Sequence, residues 1–381
     1  MRNETWTYNN PVRILFDIGA ARRLSGLVEE SRVLVVTSAG FRRRGLVDNL
    51  EQTFGKRIVA VLDDVAPNPD VRDIQAQAER VRREDPAILL AVGGGSVIDT
   101  AKALAKLLGL PAGTALDALL AGTSRIDVSP ALPVIAVPTT AGTGAEVTPF
   151  GTVWDRAGKK KHSLAANDLF PQHAILDPEL TLGLPESVTV ASGLDAVSHA
   201  LESSWNRNAT PVSIGLATRS LQQSIRNLPR VVEQPDNIEA RAAMIQASTL
   251  AGLAISQSRT ALAHAISYPV TSNFELPHGL ACSFTLPALL RFNAAADDGR
   301  LQDLARSVGF RRPSELAEGL SALFEKIDVS KHVSRFVPDK ESVLALSNQM
   351  FAPGRAENNL RDATEADVRS IVTEALDELD I

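Results

Sequence analysis

The chain has 381 residues, of which 44% are hydrophobic and 22% are charged, and its formal net charge is −6. Such a composition is typical of a folded globular protein of two or three domains and excludes an intrinsically disordered chain. The negative charge and the lack of a long basic block argue against a nucleic-acid partner. The single cysteine, Cys282, excludes an internal disulfide framework and a cysteine-based zinc site, and it is interpreted as a small buried hydrophobe.

The sequence shows neither a membrane span nor a secretion signal. No apolar run is long enough to cross a bilayer, and the first residues lack the apolar core of a signal peptide. We therefore expect a cytoplasmic enzyme with no membrane partner.

The first half of the chain alternates apolar strands with helices. Strands are predicted at residues 12–18, 32–37, 57–62, 87–92 and 133–137, helices at 42–53, 71–83 and 96–108, and a hairpin at 149–166. This order predicts an open, mostly parallel α/β sheet with helices on both faces. From about residue 185 helical periodicity takes over, so we predict a first domain over residues 1–184 and an all-helical domain over residues 185–381.

Two glycine-rich loops follow neighbouring strands of the predicted sheet. The glycines at 93–95 come directly after a strand, and Ser96 with Asp99 has the form of a capping box, which predicts that a helix begins at Ser96. Free backbone amides at a helix N-terminus suit a pyrophosphate, although the run is not the G-x-G-x-x-G fingerprint. A second polar loop, at 138–148, follows the next strand. Two such loops at adjacent strand ends favour a dinucleotide site over two ordinary turns.

A candidate metal site lies between Asp195 and His278. Asp195 and His199 are four residues apart, so a helix places both side chains on one face, within reach of one ion. Together with His264 and His278 they offer one carboxylate and three imidazoles, a set that suits a borderline divalent metal such as Fe²⁺ or Zn²⁺. The alternative is a helix ion pair with scattered histidines; the nucleotide loops upstream favour the metal.

Six ordered motifs resemble those of the iron-containing, or group III metal-dependent, alcohol dehydrogenases along nearly the whole chain. They are Gly93-Gly94-Gly95-Ser96-Val97-Ile98-Asp99, the loop Pro138-Thr139-Thr140 to Thr148, Leu176-Asp177-Pro178, the run Gly193-Leu194-Asp195 to His199, His264-Ala265 and Pro277-His278-Gly279. The resemblance implies a Rossmann-like α/β N-terminal domain with a mostly parallel sheet and an all-α C-terminal domain, the architecture of dehydroquinate synthase-like enzymes. It implies that a divalent metal, Fe²⁺ before Zn²⁺, is held by Asp195, His199, His264 and His278. It implies that NADPH or NADH is contacted by Asn68, Gly94, Gly95, Ser96, Asp99, Thr139, Thr140, Thr148 and Lys161.

Ser38 departs from the family pattern at a position that bears on the choice of nucleotide. Members that prefer NAD typically have an aspartate there, which accepts a hydrogen bond from the ribose 2′-hydroxyl and would repel a 2′-phosphate. Because this chain has Ser38, with arginines at 42–44 just beyond it, we expect NADPH to be accepted alongside NADH. The alternative for these arginines is a solvated helix start. The lysines at 159–161 are likewise either a solvated face or a phosphate contact.

Two further departures lie near the implied metal. Tyr268 stands where many members have another histidine, and it either hydrogen-bonds the substrate or packs. Arg259 stands where members that act on neutral aldehydes have small or apolar residues. It is either a clamp for an anionic substrate or a surface arginine in an ion pair. The polar stretch at 204–211, which includes Arg207, supplies further candidates for the anionic end of a substrate.

The stretch at 253–269 resembles the phosphonoacetaldehyde reductase branch of the family, which takes part in making phosphonate and phosphinate natural products. The resemblance implies metal-dependent, NAD(P)H-linked reduction of phosphonoacetaldehyde, a small anionic aldehyde, to 2-hydroxyethylphosphonate. Alternatives are a general alcohol dehydrogenase, a reductase of another acidic aldehyde, a dehydroquinate synthase-like lyase and a catalytically silent nucleotide-binding protein. A homodimer is the expected assembly because it is the commonest one.

Overall fold

A computed structural model describes residues 5–123, 129–158, 160–351 and 354–381, so Lys159 of the lysine run lies outside the described residues. The chain forms two compact units. One unit comprises Asn10–Thr140 and Ala145–Thr181, and the other comprises Met1–Asn9, Ala141–Gly144 and Leu182–Ile381. Within the described ranges, no helix combines the length and the apolarity that crossing a membrane requires.

The first unit is built on a six-stranded parallel sheet. Its strands, with the two of a separate antiparallel hairpin, are β1 (Arg13–Phe16), β2 (Val33–Val36), β3 (Ile58–Leu62), β4 (Ile88–Gly93), β5 (Val134–Pro138), β6 (Phe150–Asp155), β7 (Lys160–Ala165) and β8 (His173–Leu176). The sheet order is β1-β8-β5-β4-β2-β3, and β6 pairs with β7 in the hairpin. The expected α/β fold with a parallel sheet is confirmed.

The central strands are apolar along their whole length because helices cover both faces of the sheet. The helices of this unit are α1 (Leu24–Val28), α2 (Ala39–Arg43), α3 (Leu46–Phe54), α4 (Val71–Val81), α5 (Gly95–Gly109) and α6 (Leu116–Leu120). Successive side chains of β2 point to opposite faces: Leu34 joins a buried core with α4, α5 and α6, whereas Val35 joins a core with α1, α2 and α3.

Two helix predictions in this unit were wrong in detail. The helix expected at 42–53 is two helices, α2 and α3, because the chain takes a left-handed conformation at Gly45, with φ of 73°. The capping box at Ser96 and Asp99 does not form, and α5 begins at Gly95 with Gly94 as its N-cap. Both side chains bind other segments instead: Ser96 Oγ accepts from the Asn68 N–H at 3.3 Å, and Asp99 Oδ2 accepts from the N–H of Thr152 on β6 at 2.9 Å.

The second unit is helical. Its helices are α7 (Glu186–Ser204), α8 (Pro211–Glu233), α9 (Ile238–Ser258), α10 (Leu262–Phe274), α11 (His278–Ala281), α12 (Leu286–Ala294), α13 (Arg300–Ser307), α14 (Pro313–Lys326), α15 (Val329–Val333), α16 (Lys340–Leu344) and α17 (Glu365–Glu378). The short helix α11 is followed closely by α12, which has Pro287 in its first turn. The long helices α7, α8 and α9 pack on one another, and a Cβ at Gly193 would lie 2.4 Å from the Leu228 side chain, so α7 and α8 approach closely there.

Candidate metal centre and nucleotide loops

The middle of α7 places Asp195 and His199 side by side. They are one helical turn apart, both are buried, and His199 Nε2 lies 3.5 Å from Asp195 Oδ1. An aspartate and a histidine at this spacing present an oxygen and a nitrogen to the same point in space. Asp195 and His199 therefore share one helix face, as their spacing predicts.

Two further imidazoles meet this pair. His264 on α10 is stacked on His199, with ring centroids 4.9 Å apart, and its Nε2 lies 3.8 Å from Asp195 Oδ1. His278, the first residue of α11, meets the His264 ring edge-on at 5.2 Å. Gly279 allows this approach, because a Cβ there would lie 1.9 Å from the Ala191 carbonyl oxygen and 3.1 Å from Asp195 Cβ. The structure thus brings together all four residues that were expected to bind metal.

Hydrogen bonds orient two of the imidazoles. His199 Nδ1 lies 3.3 Å from the Gly142 carbonyl oxygen, and His264 Nδ1 lies 2.5 Å from Glu202 Oε2. Because carbonyl and carboxylate oxygens accept, each ring carries its proton on Nδ1 and turns an Nε2 lone pair towards Asp195. Such outer partners fix the tautomer and orientation of metal-ligating histidines.

Glu202 was missed by the sequence analysis. It lies on α7 three residues after His199 and seven after Asp195, on the same helix face, and that spacing was a usable signal. Its side chain is fully buried, and its other oxygen, Oε1, accepts from the His264 backbone N–H at 3.2 Å. Burial raises the pKa of Glu202 to about 7, although backbone N–H groups, Ala261 first, oppose the rise.

The electrostatics of the cluster favour a cation. Burial opposes the charged form of Asp195, but His199, His278 and His264 together hold the pKa of this carboxyl below its ordinary value. One carboxylate and three imidazole nitrogens, buried and convergent, form a donor set that fits a borderline divalent metal. The residues present therefore fit the metal that the sequence implies.

Cys282 lies at the same cluster and has more than a packing role. Its sulfur belongs, with Asp195, His264 and His278, to a group whose potential ligand atoms all lie within 4.8 Å of one another. Burial, followed by the charge of Asp195, raises the pKa of the thiol well above its ordinary range. The Cys282 thiol donates to Asp195 Oδ1 at 3.3 Å. We therefore interpret Cys282 as a partner of Asp195 and not as a metal ligand.

The two glycine-rich loops adjoin at the carboxyl ends of β4 and β5. The Thr139 N–H donates to the Gly93 carbonyl at 3.0 Å, and a Cβ at Gly94 would lie 3.1 Å from Thr140 Oγ1. Glycine at 94 therefore keeps backbone amides open where α5 begins. This edge of a parallel sheet is where such folds bind nucleotides.

The remaining expected cofactor residues divide into two groups. Asn68, with a left-handed φ of 54°, and Gly95 join Gly94, Ser96, Thr139 and Thr140 around this edge. The others are held by protein contacts.

Thr148 Oγ1 is buried and accepts from Lys102 Nζ at 3.2 Å, Asp99 binds the hairpin, and Lys161 Nζ lies 5.7 Å from the centre of the Trp154 ring. Ser38 is the N-cap of α2 and lies two residues after the end of β2.

Arg42 and Arg44 are engaged within the first unit. The Arg42 guanidinium pairs with Asp63, and that of Arg44 lies over the Phe41 ring at 4.4 Å. Arg43 is exposed. Of the three arginines expected near a 2′-phosphate, two therefore contact other side chains of this unit and one is exposed.

Arg259 and Tyr268 frame the chain segment that carries His264. Arg259 is the C-cap of α9, with φ of 63° and ψ of 179°, a conformation almost confined to glycine. Its carbonyl oxygen accepts from Asn206 Nδ2 and from Ser258 Oγ, both at 3.1 Å, and these bonds hold the strained backbone. Tyr268 lies one turn after His264 on α10 and is partly buried.

Comparison with known proteins identifies relatives over most of the chain. Residues 11–178 match the model for iron-containing alcohol dehydrogenase, and residues 189–376 match the model for the C-terminal part of the same family. The NAD-dependent methanol dehydrogenase of Bacillus methanolicus is 30% identical over 91% of this chain and 92% of its own. The phosphonoacetaldehyde reductase of Streptomyces viridochromogenes is 38% identical over 74% of this chain and 72% of its own.

A solved structure is similar over almost the full length. The sulfoacetaldehyde reductase from Bifidobacterium kashiwanohense, in complex with NAD⁺, aligns with a TM-score of 0.91 and 32% identity, covering 98% of this chain and 99% of its own.

Proposed function

This chain belongs to the iron-containing alcohol dehydrogenase family, and on that premise we propose that it reduces phosphonoacetaldehyde to 2-hydroxyethylphosphonate. It is an oxidoreductase of a family that uses a divalent metal and NAD(H). In the proposed reaction the aldehyde, NAD(P)H and one proton yield the primary alcohol and NAD(P)⁺. The 38% identical phosphonoacetaldehyde reductase supports this choice of aldehyde among the activities of the relatives.

The observation that carries the proposal is the unpaired charge of Arg259. Five residues before His264, the chain holds an exposed arginine in a strained backbone conformation. Among the residues that the structure describes, no carboxylate lies within ion-pair distance of it. A strained residue with an unneutralised guanidinium is better explained by an anionic ligand than by packing. The expected alternative, a surface ion pair, is therefore disfavoured.

The side chains of the helical unit then have distinct roles. Asp195, His199, His264 and His278 would hold the metal. When bound, the metal supplies a Lewis acid and the reduced nicotinamide supplies a hydride. Glu202 keeps the proton on His264 Nδ1, so that Nε2 stays available for ligation.

Substrate positioning falls to two residues in this proposal. Arg259 binds the anionic end of the aldehyde through its planar, multiply donating guanidinium, and so fixes the distance from the anion to the carbonyl. The Tyr268 hydroxyl, on the same face of α10 as His264, hydrogen-bonds the substrate.

For the nucleotide, we propose that NADPH and NADH are both accepted. Ser38 offers a hydroxyl in place of a repelling carboxylate. Because Arg42 is paired with Asp63, Arg43 is the arginine proposed to meet a 2′-phosphate.

A second candidate is reduction of sulfoacetaldehyde. The 32% identical sulfoacetaldehyde reductase, similar over nearly the full length, favours it, and a sulfonate is also a tetrahedral oxyanion. The two substrates differ in charge, since a phosphonate is a dianion above its second pKa and a sulfonate remains a monoanion.

We also propose that the protein works as a homodimer. The edge strand β1 and the residues after it expose Ile14, Phe16 and Ile18, alternate residues that form an apolar stripe. An exposed edge strand with such a stripe is suited to pairing with a second copy. Light scattering tests this: the Phe16→Asp variant should shift the mass towards that of a monomer.

Turnover measurements test the proposed function. Enzyme loaded with Fe²⁺ or Zn²⁺ would be assayed with NADPH and NADH against phosphonoacetaldehyde, sulfoacetaldehyde, succinic semialdehyde and butanal. We expect kcat/KM to be highest for phosphonoacetaldehyde, by about tenfold or more over butanal, since a charge-assisted hydrogen bond is lost with the neutral aldehyde. A preference for butanal would instead make the protein a general alcohol dehydrogenase, and a preference for sulfoacetaldehyde would establish the second candidate.

A further inference from the structure

A second arginine, Arg355, lies beside the metal-bearing face of α10. Its Nε donates to the Tyr268 hydroxyl oxygen at 3.2 Å. Tyr268 follows His264 by four residues on α10, so their side chains lie on one helix face about 6 Å apart along the axis. The Arg355 guanidinium is thereby held close to the side chains that would bind metal and aldehyde.

The loop that carries Arg355 is tied to the segment that carries Arg259. Asn358 Nδ2 donates to the Thr260 carbonyl at 2.9 Å, next to Arg259 in the chain. The Arg207 N–H donates to the Asn358 carbonyl at 2.8 Å, and Asn206 binds the Arg259 carbonyl. Arg207 was expected as a candidate for binding the anionic end of the substrate. Its side chain instead donates to Asp362 Oδ1 at 2.8 Å and so helps to hold this loop in place. Hydrogen bonds therefore hold together the two chain segments that carry Arg259 and Arg355.

The two guanidinium groups have no neutralising carboxylate. Within residues 5–123, 129–158, 160–351 and 354–381, no acidic side chain lies within ion-pair distance of either Arg259 or Arg355. Partial desolvation of the guanidinium, and after it the positive charge of Arg355, lower the pKa of Arg259. Two like charges held near each other repel, and a bound anion would remove that repulsion.

The Arg355 guanidinium also has N–H donors that its contacts with the protein do not use. Its Nε–H is directed at Tyr268, and one Nη1–H is directed at the Gly354 carbonyl at 2.8 Å. Within the described part of the chain, no acceptor faces Nη2. A guanidinium has five N–H donors, so the remaining ones are available for the oxygens of a tetrahedral anion.

We propose that Arg355 acts with Arg259 as a two-arginine site for a dianionic substrate, and that it selects phosphonate over sulfonate. This inference rests on the proposed function and assigns its specificity to a residue outside the sequence motifs. A phosphonate loses its second proton near neutral pH and is then partly dianionic, and two guanidiniums match this charge better than they match the single negative charge of a sulfonate. The competing interpretation is that Arg355 only supports Tyr268.

Substitution of Arg355 tests the proposal in the metal-loaded enzyme. We expect Arg355→Gln to lower kcat/KM for phosphonoacetaldehyde about 10- to 100-fold, mainly through KM, because a charged hydrogen-bond donor is lost. The ratio of kcat/KM for phosphonoacetaldehyde to kcat/KM for butanal should fall by a similar factor. The ratio of kcat/KM for phosphonoacetaldehyde to kcat/KM for sulfoacetaldehyde should also fall, but by a smaller factor. Arg355→Lys keeps the charge without the fork and should give an intermediate loss. Arg219→Gln, an exposed arginine on α8, is the matched control and should change neither ratio.

A binding measurement separates substrate recognition from catalysis. Calorimetric titration of the product 2-hydroxyethylphosphonate into metal-loaded enzyme should show weaker binding in Arg355→Gln by about the same 10- to 100-fold. Equal losses for phosphonoacetaldehyde and butanal, or unchanged product affinity, would overturn the proposal and leave Arg355 as a support for Tyr268. If the wild-type enzyme itself prefers butanal, the proposed function is wrong. This outcome differs from a failure of the Arg355 proposal, because it is seen in the wild-type enzyme and needs no variant.

Discussion

The buried carboxylate of Glu202 lies 2.5 Å from Nδ1 of the buried His264 ring. This pairing links the long helix α7, which supplies Asp195 and His199, to α10, which supplies His264. A carboxylate in this position fixes the tautomer of the imidazole and increases the basicity of Nε2. The pair therefore explains how the fold presents a nitrogen lone pair to the candidate metal position.

Removal of the Glu202 charge should weaken metal binding. In Glu202→Gln the side chain keeps its shape but loses the anion, and changes to such outer partners lower metal affinity about 10- to 100-fold. Competition with a chromophoric chelator measures the Zn²⁺ dissociation constant. Glu239→Gln, an exposed glutamate on α9, is the control and should bind as the wild type does. Equal Zn²⁺ affinity in Glu202→Gln would show that the carboxylate does not support the ligand.

Cobalt substitution should show nitrogen and oxygen ligands without sulfur. The Cys282 thiol donates to Asp195 Oδ1 at 3.3 Å, so we expect it to support that carboxylate and not to ligate the metal. The Co²⁺ enzyme should show the visible d–d bands of a protein-bound ion and no sulfur-to-cobalt charge transfer in the near ultraviolet. The Cys282→Ser variant should give the same spectrum. A charge-transfer band that is lost in Cys282→Ser would place the sulfur on the metal.

Metal loading should stabilise the protein against heat, because an ion that binds the native state alone shifts unfolding by mass action. At a free metal concentration of 100 times the dissociation constant, the gain is about 2.7 kcal/mol. Calorimetry should show a higher Tm with Zn²⁺ and a lower one after chelation. The His278→Ala variant should lose most of this metal-dependent increase, whereas His162→Ala, in the hairpin of the other unit, should keep it. A full increase in His278→Ala would exclude His278 as a ligand.

Lys102 should make stability depend on pH in the alkaline range. Its fully buried ammonium donates to the Thr148 and Phe150 carbonyls at 2.8 Å, and burial lowers its pKa to about 8, opposed by Asp99 and Glu146. In the unfolded chain the lysine pKa is about 10.4, so above pH 8 the unfolded state keeps this proton while the folded state loses it. The free energy of unfolding therefore rises with pH in this range.

Urea denaturation at two pH values measures the effect of Lys102. Between about pH 7.5 and 9.5, the wild type should gain about 2 kcal/mol of unfolding free energy relative to Lys102→Met, which cannot titrate. Subtracting the variant removes the contributions of other groups. A difference that does not change with pH would mean that the hydrogen bonds hold the proton on Lys102 throughout this range.

Local patterns predicted most of the fold and the four convergent side chains. Apolar runs such as the one in β4 are strands because both sheet faces are covered, and the spacing of Asp195 and His199 needs only one helix. The capping box predicted at Ser96 does not form, because the side chains of Ser96 and Asp99 accept hydrogen bonds from the distant residues Asn68 and Thr152. Arg355 gave no local signal, since its partner Tyr268 lies far away in the chain. Hydrogen bonds between distant segments are what the sequence patterns do not contain.

A competition experiment tests the central claim, that this metal-dependent reductase selects an anionic aldehyde. Metal-loaded enzyme would be given equal concentrations of phosphonoacetaldehyde and butanal with limiting NADPH, and the two alcohols would be quantified by nuclear magnetic resonance. The product ratio equals the ratio of the two kcat/KM values. We predict that 2-hydroxyethylphosphonate exceeds butanol by about tenfold or more, and that Arg259→Ala removes most of this excess. An excess of butanol in the wild type, or a ratio that Arg259→Ala leaves unchanged, would contradict the account.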